Sequence, residues 1–572
     1  MSHDDGARAP RYEGEDVSPT SERELRGWYS TGLAAEIFAV CGVGSFAPVT
    51  LEQLARESGV LRSDGTTPCL QAAKKEGSSR LARMLVRAAE SSSDDDTCVV
   101  RPFGRETSTA SFALYTFSIA VFLQALVLIT FSPVADYGVH RKRLLLAFAF
   151  TGATASMMFI LVVPQVYMLG SALIIIGVVS LGSSFVLLNS FLPLLAAHHP
   201  DVGQQDQRQD AQSAQLKLSV QISSKGVGLG YAAAVCVQVV SIILLVLLKK
   251  ANFASESTPL RCVLFVVGTF WATLTIPGAL WLRDRPGPSL QTTKMRGTRL
   301  PVALQYLIFA WTSVWKTVKT AARLRQTGIF LIAWFLLSDA IATVSGTAIL
   351  FARTELHMGT IAIAMLSITA TASGIAGAFA WPRISKRYGF QTKSAIIACV
   401  LFMEIIPLYG LLGFLPFVQS WGVGGLQQAW EIYPLGFVHG FVMGGLSSYC
   451  RAFYGEIIPP GSEAAFYALY AITDKGSSAV GPAIVGAIID SVGTIRPAFL
   501  FLAVLIALPV PLLYLVDVQK GRADAVALSE KGDAYAYQDV AMDDFDHGDE
   551  STANQGLMRG WEDEEDADDR RK

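Results

Sequence analysis

The chain has 572 residues, of which 51% are hydrophobic and 16% charged, with a formal net charge of −2. A soluble domain carries about 25% charged residues, and here the shortfall is gathered in blocks, which excludes a soluble protein built on one large core. So balanced a charge points to no partner by itself, and nothing in the chain points to a nucleic acid.

Residues 1–24 are polar and are expected to form a disordered tail. With residues 1–25 polar throughout, no cleavable leader is expected, and the first apolar block would serve as the insertion signal. About twelve blocks reach the roughly 20 apolar residues that a bilayer-crossing helix needs. They fall at 28–49, 110–131, 144–163, 166–197, 226–248, 260–282, 327–351, 360–381, 394–415, 432–449, 463–489 and 497–516. Hydrocarbon offers the backbone no partners, so each is read as a helix. The fold class expected is therefore an all-α polytopic membrane protein.

Span 1 holds Glu36, followed by Cys41-Gly42-Val43-Gly44-Ser45. Small and hydroxylated residues let a helix loosen and turn backbone carbonyls toward a ligand. The loop at about 50–109 contains Cys69 and Cys98, which could pair if the loop faces an oxidising compartment; the sequence does not decide this. Span 2 is followed by a basic turn, Gly138-Val139-His140-Arg141-Lys142-Arg143. Span 4 carries Ser183, Ser184, Asn189 and Ser190, and Lys225 opens span 5.

The segment 283–326 is read as a linker. Its Leu304, Leu307, Ile308, Trp311, Trp315 and Val318 recur at helical spacing, with Lys316, Lys319, Arg323 and Arg325 close behind. Too short and too basic to cross, it is expected to lie on the surface as an amphipathic helix. Span 7 carries Asp339, followed by Thr343-Val344-Ser345-Gly346-Thr347. Span 9 holds Glu404. Span 10 holds His439, Ser447, Ser448 and Tyr449, and span 11 holds Asp474 and Lys475. The end, 517–572, turns polar and then acidic and is expected to be a solvated, disordered tail.

Two pairs of segments agree on one internal offset. Ile222-Ser223-Ser224-Lys225-Gly226 and Ile472-Thr473-Asp474-Lys475-Gly476 lie about 250 residues apart, as do the turns at Gly138 and Gly389. Glu36 and Asp339 are about 50 residues further apart than that, an excess absorbed by the long loop after span 1. The chain thus reads as two pseudo-repeated six-helix halves, 25–282 and 327–516. Lys and Arg follow the even-numbered spans, at Arg141–Arg143, Arg283–Arg299 and Arg383–Arg387, which puts both ends in the cytosol.

Ionisable groups within spans are costly and face a cavity or a partner. For Glu36 and Asp339 two readings stand: a contact to a substrate ammonium or a proton path, or a structural pair in a tight helix bundle. Lys225 reads as snorkelling, or as half of a charge pair, and Lys475 as paired with Asp474 or a facing acid. His439 reads as structural or as part of the site. Gly226-Val227-Gly228-Leu229-Gly230 opens a membrane helix rather than following a strand, so no nucleotide is expected. No metal spacing, cofactor motif or catalytic constellation is present, and no enzyme activity is expected.

Twelve spans, a basic loop after span 2, its echo after span 8 and a larger central loop resemble the Major Facilitator superfamily. Ser132-Pro133-Val134-Ala135-Asp136-Tyr137-Gly138-Val139-His140-Arg141-Lys142-Arg143 keeps that superfamily's Asp, second Gly and basic end, with Ser132 in place of the first Gly. A narrower resemblance is to the autophagy-related protein 22 family of fungal vacuolar transporters. It is carried by Glu24–Tyr29 leading to Gly42–Phe46, by Phe185–Pro193, by Ser338–Thr347 and by Gly461–Gly476.

The resemblance implies a multi-pass vacuolar membrane protein exporting neutral amino acids, leucine among them, to the cytosol after autophagic breakdown. Spans 1, 4, 7 and 10 would line a central cavity, with Glu36, Asn189, Ser190, Asp339, Thr343 and His439 as candidates for substrate or proton. Asp136, Lys225, Asp474 and Lys475 would act in gating, Asp136 near the start of span 11. Amino acid, lipid bilayer and protons are the expected partners. The alternative is a non-transporting amino-acid sensor or scaffold of the autophagy machinery.

Overall fold

A computed structural model of the chain describes residues 16–61, 67–69, 98–104, 106–203, 208–249, 255, 257–287, 302–356, 358, 360–477, 480–492 and 495–528. Span 1 is the longest departure from a regular helix. Glu22–Ile37 is α-helical, Phe38–Phe46 is a π-helix, and Ala47–Ser58 returns to α. The glycines and Ser45 of the middle segment are where the sequence allows widening, and the Ser45 hydroxyl donates to the Val40 carbonyl five residues back. The equivalent run in span 7, by contrast, stays α-helical within Arg325–Thr354.

The remaining spans follow as Thr109–Ala135, His140–Met157, Tyr167–Ala197, Arg208–Lys249, Thr258–Trp281, Arg325–Thr354, Thr360–Tyr388, Thr392–Leu412 with a break at Glu404, Ile432–Glu456, then Glu463–Ser477 and Val480–Val492, and Ala498–Leu515 in two pieces. Among the described residues, nine of these rods are long and apolar enough to cross a bilayer on composition alone. Spans 8, 10 and 11 are the ones left out. Span 10 falls short because His439, Gly440, Ser447 and Ser448 dilute it. The outward faces are apolar, with Leu161, Leu280 and Leu500 all more than half exposed, as lipid contact requires.

Between hydrocarbon-facing helices, close packing and hydrogen bonds replace the hydrophobic effect. Spans 8 and 10 show it most clearly. A methyl group added at Gly440 would lie 1.8 Å from the Ala370 carbonyl oxygen, and one at Gly377 2.0 Å from that of Phe441. The internal repeat is written in the backbone too. Gly138 and Gly389, ending spans 2 and 8, both take positive φ, 53° and 67°.

The loop after span 1 is more structured than expected. Three short antiparallel strands, β1 (Val60–Leu61), β2 (Cys98–Val100) and β3 (Thr107–Ser108), pair in that order, with Val60 opposite Val99 and Val99 opposite Ser108. Cys69 and Cys98 are joined by a disulfide, their Cα atoms 6.0 Å apart. The linker forms a helix, Val302–Arg323, with Trp311 and Trp315 exposed.

Both ends of the described chain reach one face of the bundle, and residues 16–24 and 517–528, expected within disordered tails, are ordered against it. Residues 16–21 are held by Arg285, which donates to the Asp16 and Ser18 carbonyls and forks onto the Glu24 carboxylate at 2.9 Å. Residues 518–528 form a helix, held by Arg522. In each case an arginine, buried at Arg285 and half-buried at Arg522, draws polar chain onto the bundle. Residues 1–15 and 529–572 lie outside the described residues. Two apolar clusters make the core. One joins helices of both halves toward the face with the chain ends, and the other lies within the first half.

Candidate transport pathway and its seal

Side-chain hydrogen bonds between the first six and last six spans gather toward the face that carries the chain ends. The outermost layer is built on Asp136. Its carboxylate accepts from the amides of Ala464 and Ala465 at 2.8 and 2.9 Å, at the N-terminus of span 11. Arg141 donates to Asp136 at 2.9 Å and to Glu463 at 3.0 Å, and all three side chains are at most 3% exposed. A carboxylate at a helix N-terminus is favoured by the unpaired amides and the dipole there. Burial pushes the Asp136 carboxyl up, to about 7; Arg141 and the two amides draw it down, and the neighbouring Glu463 raises it. Gly287 crosses the same turn, where a methyl group would stand 1.9 Å from the Asp136 carbonyl oxygen.

Beside this layer, Glu456 at the end of span 10 accepts from Ser219 of span 5 at 3.3 Å and from Arg522 at 3.0 Å. Arg522 also donates to Gln215 at 2.9 Å, so the terminal helix ties the two halves together. Pro193, Leu194, Gln215, Glu456, Glu463 and Arg522 line a small hollow of about 50 Å³ there.

Deeper in, Arg451 of span 10 reaches across. It donates to Ser223 Oγ at 3.0 Å and Asn189 Oδ1 at 2.9 Å, and its guanidinium lies over the Trp28 ring at 5.8 Å. Trp28 in turn donates to the Leu188 carbonyl at 2.9 Å. Glu36, on the same helix as Trp28 and two turns further in, is half-buried and makes no hydrogen bond or ion pair among the described residues. Gly230 allows its close approach, since a methyl group there would meet Glu36 Cγ at 2.7 Å. Glu36 and Arg451 nevertheless feel each other electrostatically, and Tyr231, bonded to Ser447, senses both.

The other sequence candidates fall in different places. Ser190 donates back to the Leu187 carbonyl at 2.7 Å, and its hydroxyl is spent within span 4. Asp339 accepts from the Gly481 amide at 3.0 Å, joining spans 7 and 11, and Thr343 donates to the Asp339 carbonyl at 2.6 Å. Asp474 accepts from Ser338 and lies 3.2 Å from Lys475, which is half exposed. His439 Nε2 lies 3.2 Å from the Ser345 hydroxyl, and its Nδ1 is buried with no partner among the described residues. Lys225 is exposed, its ammonium 5.2 Å from the centre of the Tyr29 ring, and makes no ion pair among the described residues. The structure therefore gathers Glu36 and Asn189 around Arg451, and keeps Asp339, Thr343 and Asp474 in a separate group within the second half. Arg451 itself, Glu456, Glu463 and Tyr231 were not singled out from the sequence. The signal that could have found Arg451 is the run Ala452-Phe453-Tyr454, which carries the helix of span 10 past it.

This arrangement of twelve rods is that of the Major Facilitator superfamily. The chain superposes on the proton:xylose symporter XylE with a TM-score of 0.53 at 12% identity, covering 88% of this chain and 98% of that one. It superposes on the human organic anion transporter MFSD10 (TETRAN) with a TM-score of 0.50 at 15% identity, covering 87% and 100%. Residues 20–526 match the family described as vacuole effluxer Atg22 like, and the chain belongs to that family. It is 56% identical to autophagy-related protein 22 of Botryotinia fuckeliana over 97% of this chain and 98% of that relative, and 57% identical to autophagy-related protein 22-1 of Sclerotinia sclerotiorum over 92% and 94%.

Proposed function

We propose that the protein is a secondary transporter of the vacuolar membrane that releases neutral amino acids, leucine among them, from the lumen to the cytosol. It works by rocking its two halves about a site near the middle of the bilayer. The observation carrying this reading is the seal at the end-bearing face, where Asp136, Arg141, Glu463, Arg451 and Asn189 bond one half to the other. With a Major Facilitator fold, that is a conformation closed on the end-bearing side.

Orientation follows from two supports. Lys142, Arg143, Arg383, Lys386 and Arg387 flank spans at the end-bearing face, where a cytosolic surface gathers positive charge. The Cys69–Cys98 disulfide belongs to the opposite face, as an oxidising lumen favours. On these supports the end-bearing face is read as cytosolic, and the seal as the cytosolic gate.

An acidic lumen would load protons on the way in, with Glu36 or Asp339 as the acceptor. Membership of a vacuole effluxer family supports the direction of transport. Purified full-length protein in liposomes, offered each labelled amino acid with and without a pH gradient, tests this. Uptake or counterflow of neutral amino acids, stimulated by the gradient, is expected. Equal rates in both conditions would remove proton coupling, and no flux of any amino acid would remove the transport reading and leave a sensor or scaffold.

A further inference from the structure

Arg451 holds an unusual position for a cation in a membrane bundle. It has no ion-pair partner among the described residues, yet it sits on the seam between the halves. Its hydrogen bonds to Ser223 and Asn189 use three of the five guanidinium N–H groups. Glu36 packs against Gly230 of span 5, half-buried and unbonded among the described residues, within electrostatic reach of Arg451 but not ion-paired with it. A lone acid and a lone base held apart in a low-dielectric gap are each costly. A ligand carrying both opposite charges at short separation would satisfy the two at once.

We propose that Glu36 and Arg451 form a clamp for a free α-amino acid zwitterion, Arg451 taking the carboxylate and Glu36 the ammonium. This rests on the amino-acid reading above and names the groups that would make it selective. The planar guanidinium matches a carboxylate in two-point geometry. Trp28, beneath Arg451, and Tyr231, bonded to Ser447, supply apolar walls with polar edges for the rest of the ligand.

Glu36 belongs to the first half and Arg451 to the second, so one ligand spans the seam. It would also compete with Asn189 and Ser223 for the guanidinium. Binding therefore loosens the contacts that close the cytosolic side, and cargo itself favours opening toward the exit. Peptides, amines and amides lack one of the two charges at that spacing and would bind poorly.

Equilibrium binding to purified full-length protein in nanodiscs tests the clamp, using leucine, leucinamide and 4-methylpentanoate as probes. Wild type is expected to bind leucine at least about tenfold more tightly than either analogue, the usual cost of a lost charge-assisted contact. Arg451→Gln should weaken leucine about tenfold or more and leave leucinamide unchanged, with Arg451→Lys intermediate. Glu36→Gln should weaken leucine and spare 4-methylpentanoate. The wild-type comparison needs no variant, so a variant that fails to fold does not rescue the idea. Leucinamide bound as tightly as leucine, or Arg451→Gln leaving leucine within about twofold, overturns the clamp while the amino-acid reading stands. Wild type binding no amino acid at all overturns both.

Discussion

Asp136 shows how much a single carboxylate can decide. It receives two amides from span 11 and one arginine, and it shares that arginine with Glu463. Replacing it with alanine leaves two amides and part of Arg141 unsatisfied, and the closed cytosolic face should lose about 2 kcal/mol. Its raised carboxyl also fixes a sign. A group whose value in the closed state, about 7, lies above its ordinary 3.8 stabilises that state fully below about 3.8 and loses the contribution as pH rises through about 7. Lowering cytosolic pH from 8 to 6 should therefore favour closure, read as protection of a cysteine introduced at Ser462 from a maleimide. Asp136→Asn should flatten that response, and an unchanged slope would contradict the assignment.

Glu36 and Asn189 were legible in the sequence because a polar group amid apolar neighbours stands out. Arg451 was not singled out, because a cation near the end of an apolar run looks like the edge of the membrane. Lys225 was legible as a charge but not as to direction. A helix spacing rule cannot say that it turns outward onto Tyr29.

At the scale of elements, the helix count and the duplicated turns were readable because hydrocarbon demands long apolar rods and because Gly138 and Gly389 each permit a left-handed turn. The π-helical stretch of span 1 followed from its small residues, two of them glycines, while the similar run in span 7, with one glycine, stays α-helical. What each run packs against is not encoded in composition. The three strands and the ordered tails were missed for a similar reason, since each is held by a distant partner such as Cys98, Arg285 or Arg522. The seam between spans 8 and 10 depends on the absence of side chains. Gly440→Leu should drive these helices apart and cost several kcal/mol, seen as loss of the monodisperse folded protein in detergent, whereas Gly422→Ala, in an open turn, should be tolerated far better. On the luminal loop, Cys69→Ser opens a disulfide whose cysteines are 29 residues apart and should cost about 3 kcal/mol locally. It would be read as faster proteolysis of the loop, with the spans unaffected.

For the whole molecule, the seal is distributed. Asp136 and Arg141 hold one side, Glu456 and Arg522 another, and Arg451 the centre. Arg522→Ala should weaken the cytosolic closure without touching the site, raising the transport rate if opening to the cytosol is limiting and leaving leucine affinity unchanged. A lowered affinity would place the terminal helix within the binding machinery instead. The central claim, that amino acids leave the lumen through the seam between the halves, is tested most directly by release of preloaded labelled leucine from isolated vacuoles. Vacuoles with the intact protein should lose leucine to the medium faster than those carrying Arg451→Gln at equal abundance, and collapse of the proton gradient should slow the difference. Identical release from both, with or without the gradient, would contradict the account.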